Sequence, residues 1–201
     1  MQALNRLTQQ AALKLYKAKS RSKKKPPLNM FNAVDTAHKI LFFLPPEIET
    51  AVIVQILKDI QEYFHQHVIF IVKSIHSGLP QSLPGLMKII EYDEEKDINF
   101  MGLPSKALKN KITWENANVA VDLSREFVFI NTALVFASKA TIRAGFYHQD
   151  REDIYNFVLR TFSSAPLQQS VVTLFSYLTC DQDSKNHPPG SSQPANSIMN
   201  Y

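Results

Sequence analysis

The chain has 201 residues, 45% apolar and 20% charged, which suits one domain with a substantial hydrophobic core and leaves little room for a second. Apolar runs such as 68–72 and 119–121 stop within a few positions, far below the roughly 20 uncharged residues of a membrane-spanning helix, which argues against an integral membrane protein. The net charge of +4 is unevenly placed: residues 1–26 hold eight of the 22 Lys and Arg and no acid, and the remainder carries 14 basic against 18 acidic residues.

From Gln2 to Ala18 the apolar residues Leu4, Leu7, Ala11 and Leu15 recur at helical spacing, with Ala3, Ala12 and Leu13 beside them, which predicts a basic amphipathic helix. The charged run 19–25 ends on Pro26-Pro27, which stops a helix and sets the expected boundary between residues 1–27 and an α/β domain over 28–180. Lys39 to Leu44 reads as a buried strand. Pro45-Pro46 is expected to open a helix with Glu47 and Glu49 in its first turn and a stripe of Ile48, Val52, Ile56, Ile60 and Phe64. Val68 to Lys73 is a second, β-branched strand. A loop over 77–84, a short strand over 86–92, an acidic turn over 93–97 and a helical piece over 105–111 follow. Asn118 to Leu123 is a core strand ending on Asp122, succeeded by an apolar helix over 125–138, a strand over 141–146, and helices over 150–162 and 166–178. Beyond Asp181 the composition of Ser, Asn, Gln, Pro and Gly predicts a disordered tail over 181–201. Strand–helix alternation of this kind gives a three-layer Rossmann-like α/β fold with a mostly parallel sheet.

Ligands of such sheets sit beyond the carboxyl ends of the strands, which nominates the loops 44–50, 122–126 and 145–151. Asp122, Ser124 and Arg125 offer an acceptor, a hydroxyl and a cation within four residues, and Arg143 offers a second cation from a strand. Ser124 also suits the N-cap of the following helix and Asp122 the positive end of its dipole, and a carboxylate partner is expected for Arg143. The loop 44–50 has no glycine, two prolines that lack N–H donors and two glutamates that repel anions, so it disfavours nucleotide phosphates.

His65 and His67 lack a ligand set at recognisable spacing and read as surface residues, so no metal is expected and no cofactor is implied. Trp114, Phe127, Phe129 and Phe136 are not interleaved with cations and read as core. Cys180 reads as a reduced thiol. Lys14, Lys17, Lys19, Arg21, Lys23, Lys24 and Lys25 form the basic surface, with nucleic acid or an anionic membrane as partners, alongside docking of the helix onto its own domain. Nothing marks the chain for secretion, so a cytoplasmic location is expected, peripheral at a membrane if that surface binds one.

The strings KILFFL (39–44), NVAVDL (118–123) and ATIRAGF (140–146), in this order and with these helices between, resemble the N-terminal half of heptosyltransferase-like (family 9) glycosyltransferases over residues 38–147. That resemblance implies one half of a GT-B architecture. The family's first loop ends in a catalytic Gly-Asp pair, where this chain has Glu49 and Thr50, and about fifty residues after Gly145 are too few for the nucleotide-sugar domain. INFMGLP (98–104), VDLS (121–124) and YNFVL (155–159) are also similar to strings of a small uncharacterised bacterial family, of the Bacteroidetes type, with a basic N-terminal helix. The expectation is a non-catalytic binding or scaffold module. Its alternatives are a sugar- or nucleotide-handling transferase subunit completed by a partner chain, with Asp122 as cleft carboxylate, and nucleic-acid or membrane association through residues 1–26.

Overall fold

A computed structural model describes residues 2–22, 34–75, 87–162 and 164–179. The boundary proposed at Pro26-Pro27, the residues Lys23, Lys24, Lys25 and Cys180, the loop 77–84 and the tail from Asp181 lie outside them.

The elements run α1 (Gln2–Ser22), β1 (Lys39–Phe43), α2 (Thr50–Tyr63), β2 (Val68–Ser74), β3 (Met87–Tyr92), α3 (Glu94–Asp97), α4 (Lys106–Trp114), β4 (Val119–Asp122), α5 (Phe129–Ala137), β5 (Ile142–Phe146), β6 (Phe157–Leu159) and α6 (Leu167–Thr179). The six strands form one sheet in the order β3-β2-β1-β4-β5-β6, and every pairing is parallel. The architecture is a Rossmann-like α/β domain. Parallel strands covered on both faces read as unbroken apolar runs, which is why KILFF and VIFIVK lack alternation.

The two faces have separate cores. Ile40, Phe42, Val119, Val121, Ile142 and Ala144 point to one, where α2 and α6 close over them through the ring cluster of Phe42, Phe64 and Phe175. Leu41, Phe43 and Ala120 point to the other, covered by Leu108 and Ile112 of α4, Ala133 and Leu134 of α5, and Leu13 of α1. The basic helix is thus a packed layer of the domain, and Tyr16 stacks on Phe136 with ring centroids 4.4 Å apart.

Several local expectations are corrected. The helix after β1 starts at Thr50 rather than at the prolines: Glu49, its N-cap, holds extended backbone (φ −63°, ψ 136°), and Glu47 lies in the preceding loop. Residues 150–162 do not form a helix. Turns over 150–154 draw Arg151, Ile154 and Tyr155 inward, and 157–159 pair with β5 as an edge strand. Trp114 ends α4 on the side away from the buried Leu108 and Ile112 and is 80% exposed. His67 is buried, its Nδ1 2.6 Å from the Ala37 carbonyl, whereas His65 is exposed.

Candidate functional site

The strand order reverses between β1 and β4, the position where an open parallel sheet parts its loops to admit a ligand. Here Asn131 occupies that gap. Its Nδ2 donates to the Leu44 carbonyl at the end of β1 (3.0 Å), to Ser124 Oγ (2.9 Å) and to Asp122 Oδ1 (3.3 Å) at the end of β4. Asp122 Oδ1 also accepts from the Ser124 amide at 3.0 Å. Asp122 Oδ2 accepts from Arg151 Nη1 at 2.9 Å and from the Tyr155 hydroxyl at 2.7 Å. The rest of the Arg151 guanidinium donates to the carbonyls of Phe146 (2.9 Å), Ser124 (2.6 Å) and Arg125 (3.0 Å). Asp122 and Arg151 both have no solvent exposure. A buried charge pair is sustainable only when its remaining donors and acceptors are satisfied, and this one is. Burial and the Asp122 charge hold the Tyr155 hydroxyl well above its ordinary pKa, so it stays a donor.

Of the residues nominated from the sequence, Asp122 and Ser124 meet in this buried network, Arg125 joins it only through its carbonyl, and Arg143 lies apart from it. Ser124 is not a helix cap, since α5 begins at Phe129 with Val128 as an N-cap that makes no side-chain bond. Arg125 reaches across to the Ala165 carbonyl and, at 3.0 Å, to Ser170 Oγ. Arg143 bonds Ser20 Oγ of α1 at 3.1 Å rather than a carboxylate, and burial lowers its pKa. Arg151, Tyr155 and Asn131 were not singled out by sequence reasoning. For Asn131 a signal existed: Asn131-Thr132 is the polar pair inside an otherwise apolar helix. Arg151 closed one of the nominated loops, but nothing local marks an arginine as buried.

The open space lies beside this plug. A cavity of about 460 Å³ is lined by Pro46 and Glu47 after β1, Ser74 at the end of β2, Glu94 after β3, Ile98 and Gly102, the first turn of α5 (Val128, Phe129, Ile130), and Gln9 of α1. Among the described residues its lining holds two carboxylates and no lysine or arginine. Gly102 has a left-handed backbone (φ 74°), and the Gln9 amide fills the space that a Cβ there would need. Asn131, one residue beyond Ile130, keeps a buried Oδ1 that accepts no hydrogen bond among the described residues. No group of three or more His, Cys, Asp or Glu side chains placed to hold a metal occurs among the described residues. No helix among them is long and apolar enough to cross a membrane.

Lys17 donates to the Gln149 carbonyl at 3.0 Å, and Arg21 forms a two-point pair with Asp153 at 2.6 and 3.0 Å, so two of the basic residues are turned toward the domain. Lys14 and Lys19 are exposed.

Among solved structures, the chain is similar to E. coli heptosyltransferase WaaC with ADP, at 11% identity and a TM-score of 0.46, over 77% of this chain and 49% of that one. It is also similar to a family 9 glycosyl transferase from Veillonella parvula, at 11% identity and a TM-score of 0.47, over 70% of this chain and 41% of that one. The chain spans less than half the length of either. No protein-family profile and no curated protein matches it in sequence.

Proposed function

We propose that the chain is a non-catalytic binding module whose cavity beyond β1, β2 and β3 takes a small neutral or cationic ligand bearing hydroxyl or amine groups. The lining carries this reading: Glu47 and Glu94 present two carboxylates, with no cation beside them among the described lining residues, which repels phosphates and favours hydrogen-bond donors. Phe129, Ile98 and Ile130 supply an apolar wall, and Gln9 and Ser74 supply further polar contacts, the usual makeup of a small-molecule pocket. Asp122, Ser124 and Arg125 act in this reading as the frame that holds the loops rather than as ligand contacts.

The transferase-subunit alternative needs an ionised base standing free in the cleft. Asp122 is fully enclosed, and Glu47, exposed on the loop after β1, is the group placed for such a role. Calorimetric titration separates the readings. Amino sugars and polyols are expected to bind the wild-type chain, and Glu47→Gln with Glu94→Gln to weaken the cationic members by about tenfold or more, one favourable charge contact being worth at least 1 kcal/mol in a partly dry site. Binding of nucleoside diphosphates in preference to amines, or substrate turnover abolished by Glu47→Gln, would overturn the proposal.

A further inference from the structure

We infer that the outward side of α1 is a docking surface for an anionic lipid bilayer. At 100° per residue, Leu7, Ala11, Leu15 and Ala18 fall within about 80° of one another on the helix. All four are exposed, Leu7 at 65% and Leu15 at 51%. The helix is held to the domain from its opposite side, by Ala12, Leu13 and Tyr16 and by the bonds of Lys17 and Arg21. The stripe is therefore presented on a helix that is already folded and fixed, so binding it would not require a coil to order.

Charge selects the occupant. Lys14 borders the stripe on one side and Lys19 on the other, and no acidic residue occurs before Asp35 in the sequence. An apolar stripe rimmed by cations matches an anionic interface, into which leucines insert while lysines remain at the headgroups. Nucleic acid would use the cations but has no use for a Leu and Ala stripe without aromatic rings to stack on its bases. A second copy packed stripe to stripe would bring two cation-rimmed helices together with no carboxylate on either to relieve the repulsion.

The test is co-sedimentation of the full chain with vesicles of phosphatidylserine and phosphatidylcholine, against pure phosphatidylcholine vesicles. Binding is expected only to the anionic vesicles, weakened by raising salt from about 0.1 M to 0.5 M, and reduced about tenfold or more in the double variant Leu7→Ser, Leu15→Ser. Both substitutions lie at exposed positions, and an unchanged melting temperature confirms that the fold persists; Lys14→Glu provides a second, purely electrostatic loss. Equal sedimentation of wild type and the Leu7→Ser, Leu15→Ser variant overturns the inference. So does a solution dimer that this variant dissolves, and so does retention on single-stranded RNA without vesicle binding.

Discussion

Removing the Arg151 guanidinium takes the ion-pair partner from the fully buried Asp122 and strips the Phe146, Ser124 and Arg125 carbonyls of their donor. Arg151→Met is therefore expected to lower unfolding free energy by about 3–5 kcal/mol in a urea titration, the usual penalty for breaking one side of a buried pair. Tyr155→Phe deletes one donor to the same carboxylate and should cost less, about 1.5–3 kcal/mol. At Gly145 a methyl group would lie 2.8 Å from Tyr155 Cε2 and 3.0 Å from the Asp122 carbonyl oxygen, so Gly145→Ala should cost about 1–3 kcal/mol by overpacking. Tyr155 also sets an alkaline limit. Its pKa is raised by burial and by the Asp122 charge, so its contribution is present below the ordinary tyrosine value of about 10 and is lost as pH rises through the folded value. In a pH titration of stability, wild type should fall more steeply than Tyr155→Phe as pH rises above the ordinary tyrosine value of about 10. Asp122 was legible in the sequence because it ends a strand at the carboxyl edge. Its partners were not, because Arg151 and Tyr155 sit in a stretch whose apolar spacing mimics a helix while its polar groups are claimed by tertiary contacts.

For helix α1 the decisive question is what keeps it docked. Gly102→Ala forces a side chain into left-handed backbone and into the space held by Gln9, and should raise amide hydrogen exchange along α1 while leaving α2 and α6 protected. Asp153 is held below its ordinary pKa by the hydrogen bond from Arg21, so the clasp it forms is intact above the usual carboxylate range and is lost as pH falls through the lowered value. Exchange of α1 should accordingly rise in acid, and Asp153→Asn should reproduce that rise at neutral pH. The helix itself was readable from its spacing, but its orientation was not. Leu7 and Leu15 of the predicted apolar stripe face outward, and Leu13 and Tyr16 face inward because Phe136 and the α4–α5 surface offer them a complementary seat. The strands β1, β2 and β4 were legible as apolar runs and β5 as a short segment interrupted by Arg143; β6 was not legible, since three half-buried residues on a sheet edge are too few for a pattern.

At the scale of the molecule, the sheet order places the strand reversal between β1 and β4, and Asn131 with the Asp122–Arg151 network fills it. The opening is thereby displaced toward the ends of β1, β2 and β3, where an acidic lining replaces the glycine-rich, anion-seeking loop of a nucleotide site. The absence of such a loop was legible in Pro45-Pro46-Glu47; the assembly of the cavity, which draws on segments from Gln9 to Ile130, was not, because no local pattern records which loops meet. The most direct measurement is an amide NMR titration with three ligands of one ring shape and different charge: glucosamine, glucose and glucuronate. Shift changes at Gln9, Gly102 and Ile130 with affinity in the order glucosamine, glucose, glucuronate are the predicted result. Tighter binding of glucuronate, or changes confined to residues away from the cavity, would contradict the account.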